Sequence, residues 1–574
     1  MRNWAKLVLV VLALGVLYWP GIQYHWETAN NPYFVPFDAG HVIPPVFKFD
    51  PNDPIPTNFV KEYFLNALSP ILYKWLIRIG AEFADVRHFQ LGMMYLAYAV
   101  FIGTLGRLAW LLGGATLSFA VMALTITAWL FIGLGFLGAT PRMYAYPVIA
   151  LILYALIRDR PHFLAITVIV SGMLYPIVAT IGGLCLASWM LLKPLSAQGS
   201  VSHWRRSRRL ATVSLTGFLT LAGLLPMWLD SQPYGRRVNA TDIALYPEAG
   251  PEGNYRAYDQ LPYKLFGNEW AIYFVGPLYS HGDPIAPWVN VHKKLDSTTL
   301  LFALALMGLI VLVVICAGIR AVFKKDSNGA AVRLVGFFAV CVVLHVLAWL
   351  GAPYLYIPTR FFMYSLPFLI TLIFPWSLYI LLGRVPRLRS STKLHGLTFL
   401  GIVSIYLMAF GGRGNVEFAA SPEQQLSKPL ADTIMALPKD VLIAGWPAAE
   451  IQNVEYVTRR NVFFTAATDH VLHLTYMKIM REGMNAMFDA YLSVDAAPLV
   501  RLRQEFGVTH LLVDTRDFTE PAHAPEYFAP WRARIPLRLA EIKGKEYLLN
   551  KSLQKKAAVF NQNGFVLLDL AKLP

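Results

Sequence analysis

The chain of 574 residues is 56% hydrophobic and only 15% charged, with a mean hydropathy of +0.46, which excludes a water-soluble globular fold of this size and marks an integral membrane protein. Lys and Arg number 50 against 35 Asp and Glu, a formal charge of +15. Because the basic residues fall between apolar runs, they are read as facing anionic lipid headgroups, and nucleic acid is excluded as a partner. Three cysteines, Cys185, Cys316 and Cys341, all lie within apolar runs, which excludes a disulfide-stapled exported domain.

The N-terminus, "MRNWAKLVLVVLALGVLYWPGIQYHW", has a basic start and an apolar core but no small-x-small cleavage site, and reads as an uncleaved first span. With about 17–25 apolar residues per crossing, runs fall near 6–22, 90–110, 117–137, 144–158, 162–176, 178–193, 210–229, 298–319, 332–351, 362–383 and 395–412. The expected fold is therefore a polytopic α-helical membrane protein of about eleven transmembrane helices. The runs at 162–176 and 178–193 are short and meet at Tyr175-Pro176.

Basic residues in the connections set the orientation. With the N-terminus inside, the inner segments carry Arg107, Arg158, Arg160, Lys193, the "RRSRR" cluster, Arg320, Lys324, Lys325, Arg384, Arg387 and Arg389, accompanied by few acids. The assignment is N-in, C-out. It divides the chain into a transmembrane domain over 1–412, with outer loops at 23–89 and 230–297, and a soluble outer tail over 413–574.

In the tail, "DVLIAGW" (440–446), "NVFFTA" (461–466) and "THLLVDT" (509–515) read as buried strands, and "TYMKIMREGMNAMFDAYL" and "APLVRLRQEFG" as amphipathic helices. That alternation predicts a small α/β domain with some parallel pairing. No Gly-rich phosphate loop follows a strand.

Four pieces of the outer face carry polar groups that a membrane surface does not need for solubility. The first outer loop offers Asp38 and His41 as candidate catalytic groups, with Asp50, Asp53, Lys61 and Glu62 further on. "GATPRMYAYP" offers Arg142 and Tyr144, "QPYGRRVNATD" offers Arg236, Arg237 and Asp242, and "APYLYIPTRFFMY" offers Tyr354, Tyr356 and Arg360. Under the expected topology all four face one compartment. Arginines converging there would bind a lipid-linked phosphate and stabilise it as a leaving group. Anchoring at the headgroups is the competing role for each arginine. Asp469, His470 and His473 in the tail have the residue types of a metal site, but no further ligand can be placed beside them.

At this point the chain resembles the GT-C glycosyltransferases. The resemblance rests on the inward N-terminus, an acidic first outer loop with short amphipathic helices ("NFVKEYFLNAL", "PILYKWLIRIGAEF"), many further spans and an outer C-terminal domain. The pieces "FDAGHV", "ATPRMYAYP" and "LPKDVLIAGWP" look like those of bacterial multi-pass proteins of this type. The resemblance implies a GT-C-like fold in a bacterial inner membrane with its active face periplasmic. It implies a polyprenyl-phosphate sugar as donor and a glycan, lipid or protein as acceptor. Asp38 would then be the base, and Arg142 with Arg360 the phosphate clamp, with Tyr144, Arg236, Arg237 and Tyr356 as further substrate contacts. Many GT-C enzymes carry two adjacent acids in this loop, whereas Asp38 stands between Phe37 and Ala39. No cofactor is assigned; a divalent metal stays open, with Asp50 or Asp53 as a second carboxylate, although "DPNDP" is also an ordinary turn. Two other functions stay open: a non-catalytic scaffold and a transporter of lipid-linked substrates.

Overall fold

The computed structural model describes residues 30–35, 39–127, 136, 138–192, 200–239, 241–242, 245–249, 253, 281–282, 309–320, 330–351, 360–412, 425–448, 450–519 and 528–573. Among these, three helices are long and apolar enough to cross a membrane: Val86–Ile126, Arg206–Tyr234 and Ala331–Ala348. Shorter apolar helices are Pro141–Ile157, Pro161–Leu174, Pro176–Leu191, Leu309–Arg320 and Leu369–Leu382. The first expected span, near 6–22, lies outside the described residues.

The longest of these is two helices. If Val86–Thr127 ran straight, Tyr98 and Ile126 would stand about 42 Å apart at 1.5 Å per residue. Instead the Tyr98 hydroxyl donates to the Ile126 carbonyl at 3.5 Å, and Ser118 Oγ to the Gly106 carbonyl at 2.7 Å. The chain reverses at Gly114, whose φ of +78° is the kind glycine adopts without a steric cost. The expected runs near 90–110 and 117–137 are thus separate antiparallel helices. The two short runs also resolve as a pair. Tyr175 is extended (φ −155°, ψ 92°) between Pro161–Leu174 and Pro176–Leu191, and a Cβ on Gly182 of the second helix would come within 2.9 Å of Val168 on the first.

The Arg206–Ser231 helix is apolar on the wrong side for water. Leu215, Phe218, Leu221, Leu225 and Trp228 are exposed, while Thr216 and Ser231 are its buried residues. Such an arrangement is stable where the surrounding solvent is hydrocarbon. Thr212, Thr216 and Thr220 return their hydroxyls to carbonyls one turn earlier, so those polar atoms are satisfied within the helix.

The tail contains a mixed five-stranded sheet. Its strand order is Asn461–Val462, Leu442–Ala444, His510–Asp514, Phe565–Asp569, Ala558–Gln562. Leu442–Ala444 pairs parallel with both Asn461–Val462 and His510–Asp514, so the three expected strands form the parallel half. The antiparallel half is a hairpin that the strand pattern left unread. Its turn is Asn563-Gly564, both with positive φ (+53° and +83°), the conformation that lets a two-residue turn follow the twist of its strands.

The first outer loop packs onto this tail through ions, polar caps and apolar contact. Arg459, which leaves the Ile451–Thr458 helix in the left-handed conformation, meets Asp50 at 2.6 Å, Asp85 at 2.6 Å and Asp53 at 3.5 Å. Lys439 pairs with Asp53 as well. Lys61 and Glu455 form a second ion pair at 2.9 Å, with side chains only 4% and 10% exposed. Asn58 caps the Phe59–Tyr63 helix by accepting from Lys61 N at 2.8 Å and donates to the Val462 carbonyl of the sheet edge. The short helix Ala39–Val42 lies so close to the Ile451–Thr458 helix that a Cβ on Gly40 would sit 2.8 Å from the Gln452 carbonyl oxygen.

Burial alone would raise the Asp50 carboxyl's pKa, but Arg459 and the N–H groups of Asn52 and Asp53 outweigh it and hold the group below the ordinary carboxylate value. Its contribution to docking is therefore present above the unfolded value near about pH 4 and is lost as pH falls through its lower native value. Arg459→Ala is expected to cost about 2–3 kcal/mol, less than a fully buried pair because Asp53 and Asp85 stay partly in water. Tm and limited proteolysis of the full chain check this, and an unchanged Tm would refute it.

Candidate functional site

Two hydrogen bonds hold the helix ends that carry Arg142 and Arg360. Pro141 starts the 3-10 turn Pro141–Tyr144 that leads into Ala145–Ile157 and carries Arg142, and Arg360 opens the short helix Arg360–Met363. The Tyr146 hydroxyl donates to the Met363 carbonyl at 3.1 Å, and the hydroxyls of Tyr175 and Tyr364 meet at 2.7 Å. These bonds join the "ATPRMYAYP" piece, the Tyr175 break and the "TRFFMY" piece, which lie far apart in sequence. The segments that carry Arg142 and Arg360 are thus held side by side.

A second set gathers where both outer loops meet the tail. Tyr63 stacks on Tyr476 with centroids 3.7 Å apart, meets Tyr234 edge-on at 4.9 Å, and its hydroxyl pairs with His473 Nδ1 at 3.1 Å. The Phe64 ring carries two imidazoles edge-on, His41 at 5.6 Å and His470 at 5.3 Å. The second loop is pinned here by a short antiparallel bridge, Arg237 opposite His473, with Val238 N donating to the Leu472 carbonyl and Leu474 N to the Arg236 carbonyl. Sharing the Phe64 ring, His41 and His470 join the Ala39–Val42 helix to the tail.

Basic neighbours and burial govern the tail histidines. Burial, then His41, Arg360 and His473, push His470 well below the ordinary imidazole value. Burial and Arg237 lower His473 to about 4. Beside them Asp469 is fully buried, and among the described residues neither of its carboxylate oxygens accepts a hydrogen bond. Burial and the nearby Glu248 push its pKa well up. Glu248, from the second outer loop of the sequence reading, is itself buried and receives Arg481.

The candidate residues named from sequence fall as follows. Arg142 and Arg360 sit on two segments joined by the Tyr146–Met363 bond, His41 shares the Phe64 ring with His470, and Arg237 lies opposite His473. Arg236 grips Asp242 with both arms of its guanidinium, at 2.8 and 2.7 Å, and Asp242 is held below the ordinary carboxylate value by that pair. Tyr144 is buried in the apolar core near Tyr73, and its hydroxyl has no hydrogen-bond partner among the described residues. Asp38, Tyr354 and Tyr356 lie outside the described residues. Asp50 forms a turn by accepting from Asn52 N and Asp53 N while bound to Arg459, so both carboxylates offered as a partner for Asp38 are held in ion pairs with the tail. Among the described residues no group of three or more His, Cys, Asp or Glu is placed to share a metal. The sequence reading missed Tyr63, Phe64 and Tyr364, and it did not place the partners of His470 and His473. The histidine spacing was visible, but the partners that define it come from three other segments.

No protein-family model and no curated protein matches the chain. Solved structures do resemble it. The Archaeoglobus fulgidus oligosaccharyltransferase in its apo form is 11% identical, with 89% of this chain and 70% of that one covered at a TM-score of 0.47. The archaeal oligosaccharyltransferase AglB from Archaeoglobus fulgidus, in complex with an inhibitory peptide and a dolichol-phosphate, is 10% identical over 90% and 70% at 0.46. ArnT from Cupriavidus metallidurans bound to undecaprenyl phosphate is 14% identical over 99% and 98% at 0.42. These are GT-C glycosyltransferases, the type the sequence resembles. At scores below 0.5 the likeness gives no residue a role.

Gly235 has φ +85°, and a Cβ there would stand 2.4 Å from Thr475 Oγ1 and 3.0 Å from Thr475 N. Gly235→Ala is expected to unseat the second loop from the tail at a cost of about 1–3 kcal/mol. Increased protease cleavage near residue 235 with a lower Tm would bear this out; unchanged cleavage and Tm would not.

Proposed function

We propose that the chain is a membrane glycosyltransferase that moves a sugar from a polyprenyl-phosphate donor to a glycan, lipid or protein acceptor at the outer, periplasmic face of a bacterial inner membrane. The observation that carries this is that the Tyr146–Met363 and Tyr175–Tyr364 bonds join the segments carrying Arg142 and Arg360, while His41 shares the Phe64 ring with His470 of the tail. A donor of this kind has its lipid tail in the bilayer, its phosphate at the headgroup plane and its anomeric carbon just beyond. The convergent basic groups lie at the ends of apolar helices and beneath the tail, which suits that division.

In the proposed reaction Asp38 accepts the proton of the acceptor hydroxyl while that oxygen attacks the anomeric carbon. The bond to the phosphate oxygen breaks, its electron pair stays on the phosphate, and Arg142 and Arg360 stabilise the growing negative charge. Direct displacement inverts the anomeric centre. His41 and Arg237 line the same region, with Tyr144 and Tyr356 as further donor contacts. Arg236 acts as a positioning residue through Asp242, which keeps the second loop in place. The proposed topology is N-in, C-out with about eleven spans, and the tail over 413–574 forms the outer wall of the site.

The test is transfer from radiolabelled polyprenyl-phosphate sugars in membranes carrying the wild type, Asp38→Asn, Arg142→Ala or Arg360→Ala, with expression and Tm matched. The arginine variants are expected to lose about 10²-fold or more in kcat/KM, and Asp38→Asn about 10²- to 10⁴-fold. Normal transfer by Asp38→Asn would remove its assignment as base. A wild type that transfers from no donor would favour a scaffold.

A further inference from the structure

We propose that the tail binds an acidic glycan chain along a basic strap over residues 531–557, which makes a carboxylate- or phosphate-bearing glycan the acceptor class. Its role as acceptor rests on the transfer reaction proposed above; the binding itself does not.

The strap stands out by charge. Residues 532–556 hold eight Lys and Arg against two Asp and Glu, whereas the rest of the tail over 413–574 holds eleven against sixteen. Under the proposed topology this excess lies on the outer side, so the inward bias of basic residues does not account for it. Arg538 is paired with Glu541 at 2.9 Å and Arg534 with Asp489 at 3.8 Å. Arg532, Lys543, Lys545, Lys551, Lys555 and Lys556 are exposed and form no ion pair among the described residues.

The strap is folded onto the sheet domain. Helix Trp531–Ile542, the turn Tyr547–Leu549 and helix Lys551–Ala557 bury Trp531, Ile535, Ile542, Leu548 and Leu553 in its core, which leaves the charged side chains outward. Asn550 caps the second helix by accepting from Ser552 N at 2.9 Å and Leu553 N at 3.3 Å. The Leu474–Tyr491 helix fixes where the strap lies. Trp531 Nε1 donates to Asn485 Oδ1 at 3.0 Å, and Arg534 lies over the Phe488 ring at 4.7 Å. The first turn of that helix meets the outer loops, where Tyr476 stacks on Tyr63. Twelve residues separate Tyr476 from Phe488, a distance of about 18 Å along the axis.

That separation selects among acceptors. A lipid acceptor keeps its reactive group at the headgroup plane and gains nothing from cations so far along the tail. A folded protein is held by desolvated aromatic or aliphatic anchors, and Leu537, 68% exposed, is the strap's one exposed large apolar side chain. An acidic glycan carries its charges at intervals along an extended chain, which matches cations spread along two helices and the turn between them. Several sugars in a row reach from the strap to the seam with the outer loops. The end of the chain then meets the site while earlier sugars are held.

The test is fluorescence anisotropy with the full chain in zwitterionic detergent micelles at pH 7. The probes are labelled oligogalacturonate, which has a carboxylate on every sugar, and neutral maltodextrin of equal length. The wild type should bind the acidic chain about tenfold or more tightly than the neutral one, and added salt should weaken that binding. The variant carrying Lys543→Gln, Lys545→Gln, Lys551→Gln, Lys555→Gln and Lys556→Gln should bind it about tenfold more weakly at an unchanged Tm, because small exposed contacts add up. Equal binding of the two glycans, or unchanged binding by the variant, overturns the inference. Tighter binding of polyglutamate of equal charge also overturns it and assigns the strap to an acidic protein segment. None of these results touches transfer itself, which is followed from the labelled donor. A wild type that binds the acidic chain at the strap but transfers from no donor overturns the acceptor role together with the proposed reaction.

Discussion

Arg459 draws three carboxylates, Asp50, Asp53 and Asp85, onto the tail, and the docking of the 39–85 region depends on that charge pairing. Asp50 is 2% exposed, so its charge would be costly without the guanidinium at 2.6 Å. Asp85 lies just before the Val86–Thr127 helix, so the same arginine also ties the tail to the beginning of a membrane-length element. With the Lys61–Glu455 pair buried beside it, the docking is fixed in direction as well as in energy. Two oriented ion pairs allow only one way for the tail to sit.

Given that docking, the first outer loop belongs to two cores at once. Val35, Ala39, Ile43, Val46 and Phe47 pack with the apolar helices, whereas Val60, Tyr63 and Phe64 pack with the sheet domain. The loop is therefore the hinge piece of the architecture. His41 is carried at the first of these contacts and Phe64 at the second, so the imidazole pair on the Phe64 ring exists only because both cores form. A tail that folded correctly but docked differently would separate His470 from His41.

The electrostatics follow the same logic. Basic groups that would be solvated separately on an extended chain are assembled in a partly buried region, where their mutual repulsion is paid by the docking contacts. Such a region favours an anion, and a lipid phosphate at the headgroup plane is the proposed one. Arg236 differs from these groups in that both arms of its guanidinium bind Asp242 of the same loop.

The sequence by itself determined what depends on neighbours within one helix turn or one strand. Apolar runs of membrane length, the parallel strands of the tail, the Tyr175-Pro176 break and the amphipathic helices of the first loop were all legible, because each is a local pattern of hydrophobicity interrupted by proline or glycine. The Asn563-Gly564 hairpin was equally local and could have been read from its turn. The outward-placed Arg142 and Arg360 stood out against the distribution of basic charge. Only the tertiary structure decided which carboxylates are structural and which histidines face the arginines. Asp50 looks as available as Asp38 in sequence until Arg459, 409 positions away, closes on it. The i, i+3 histidines of the tail resemble metal ligands until Tyr63, Phe64 and Arg237 surround them. The reason is physical: a charge or an imidazole takes its character from the groups within a few ångströms, and in this chain those groups arrive from remote segments.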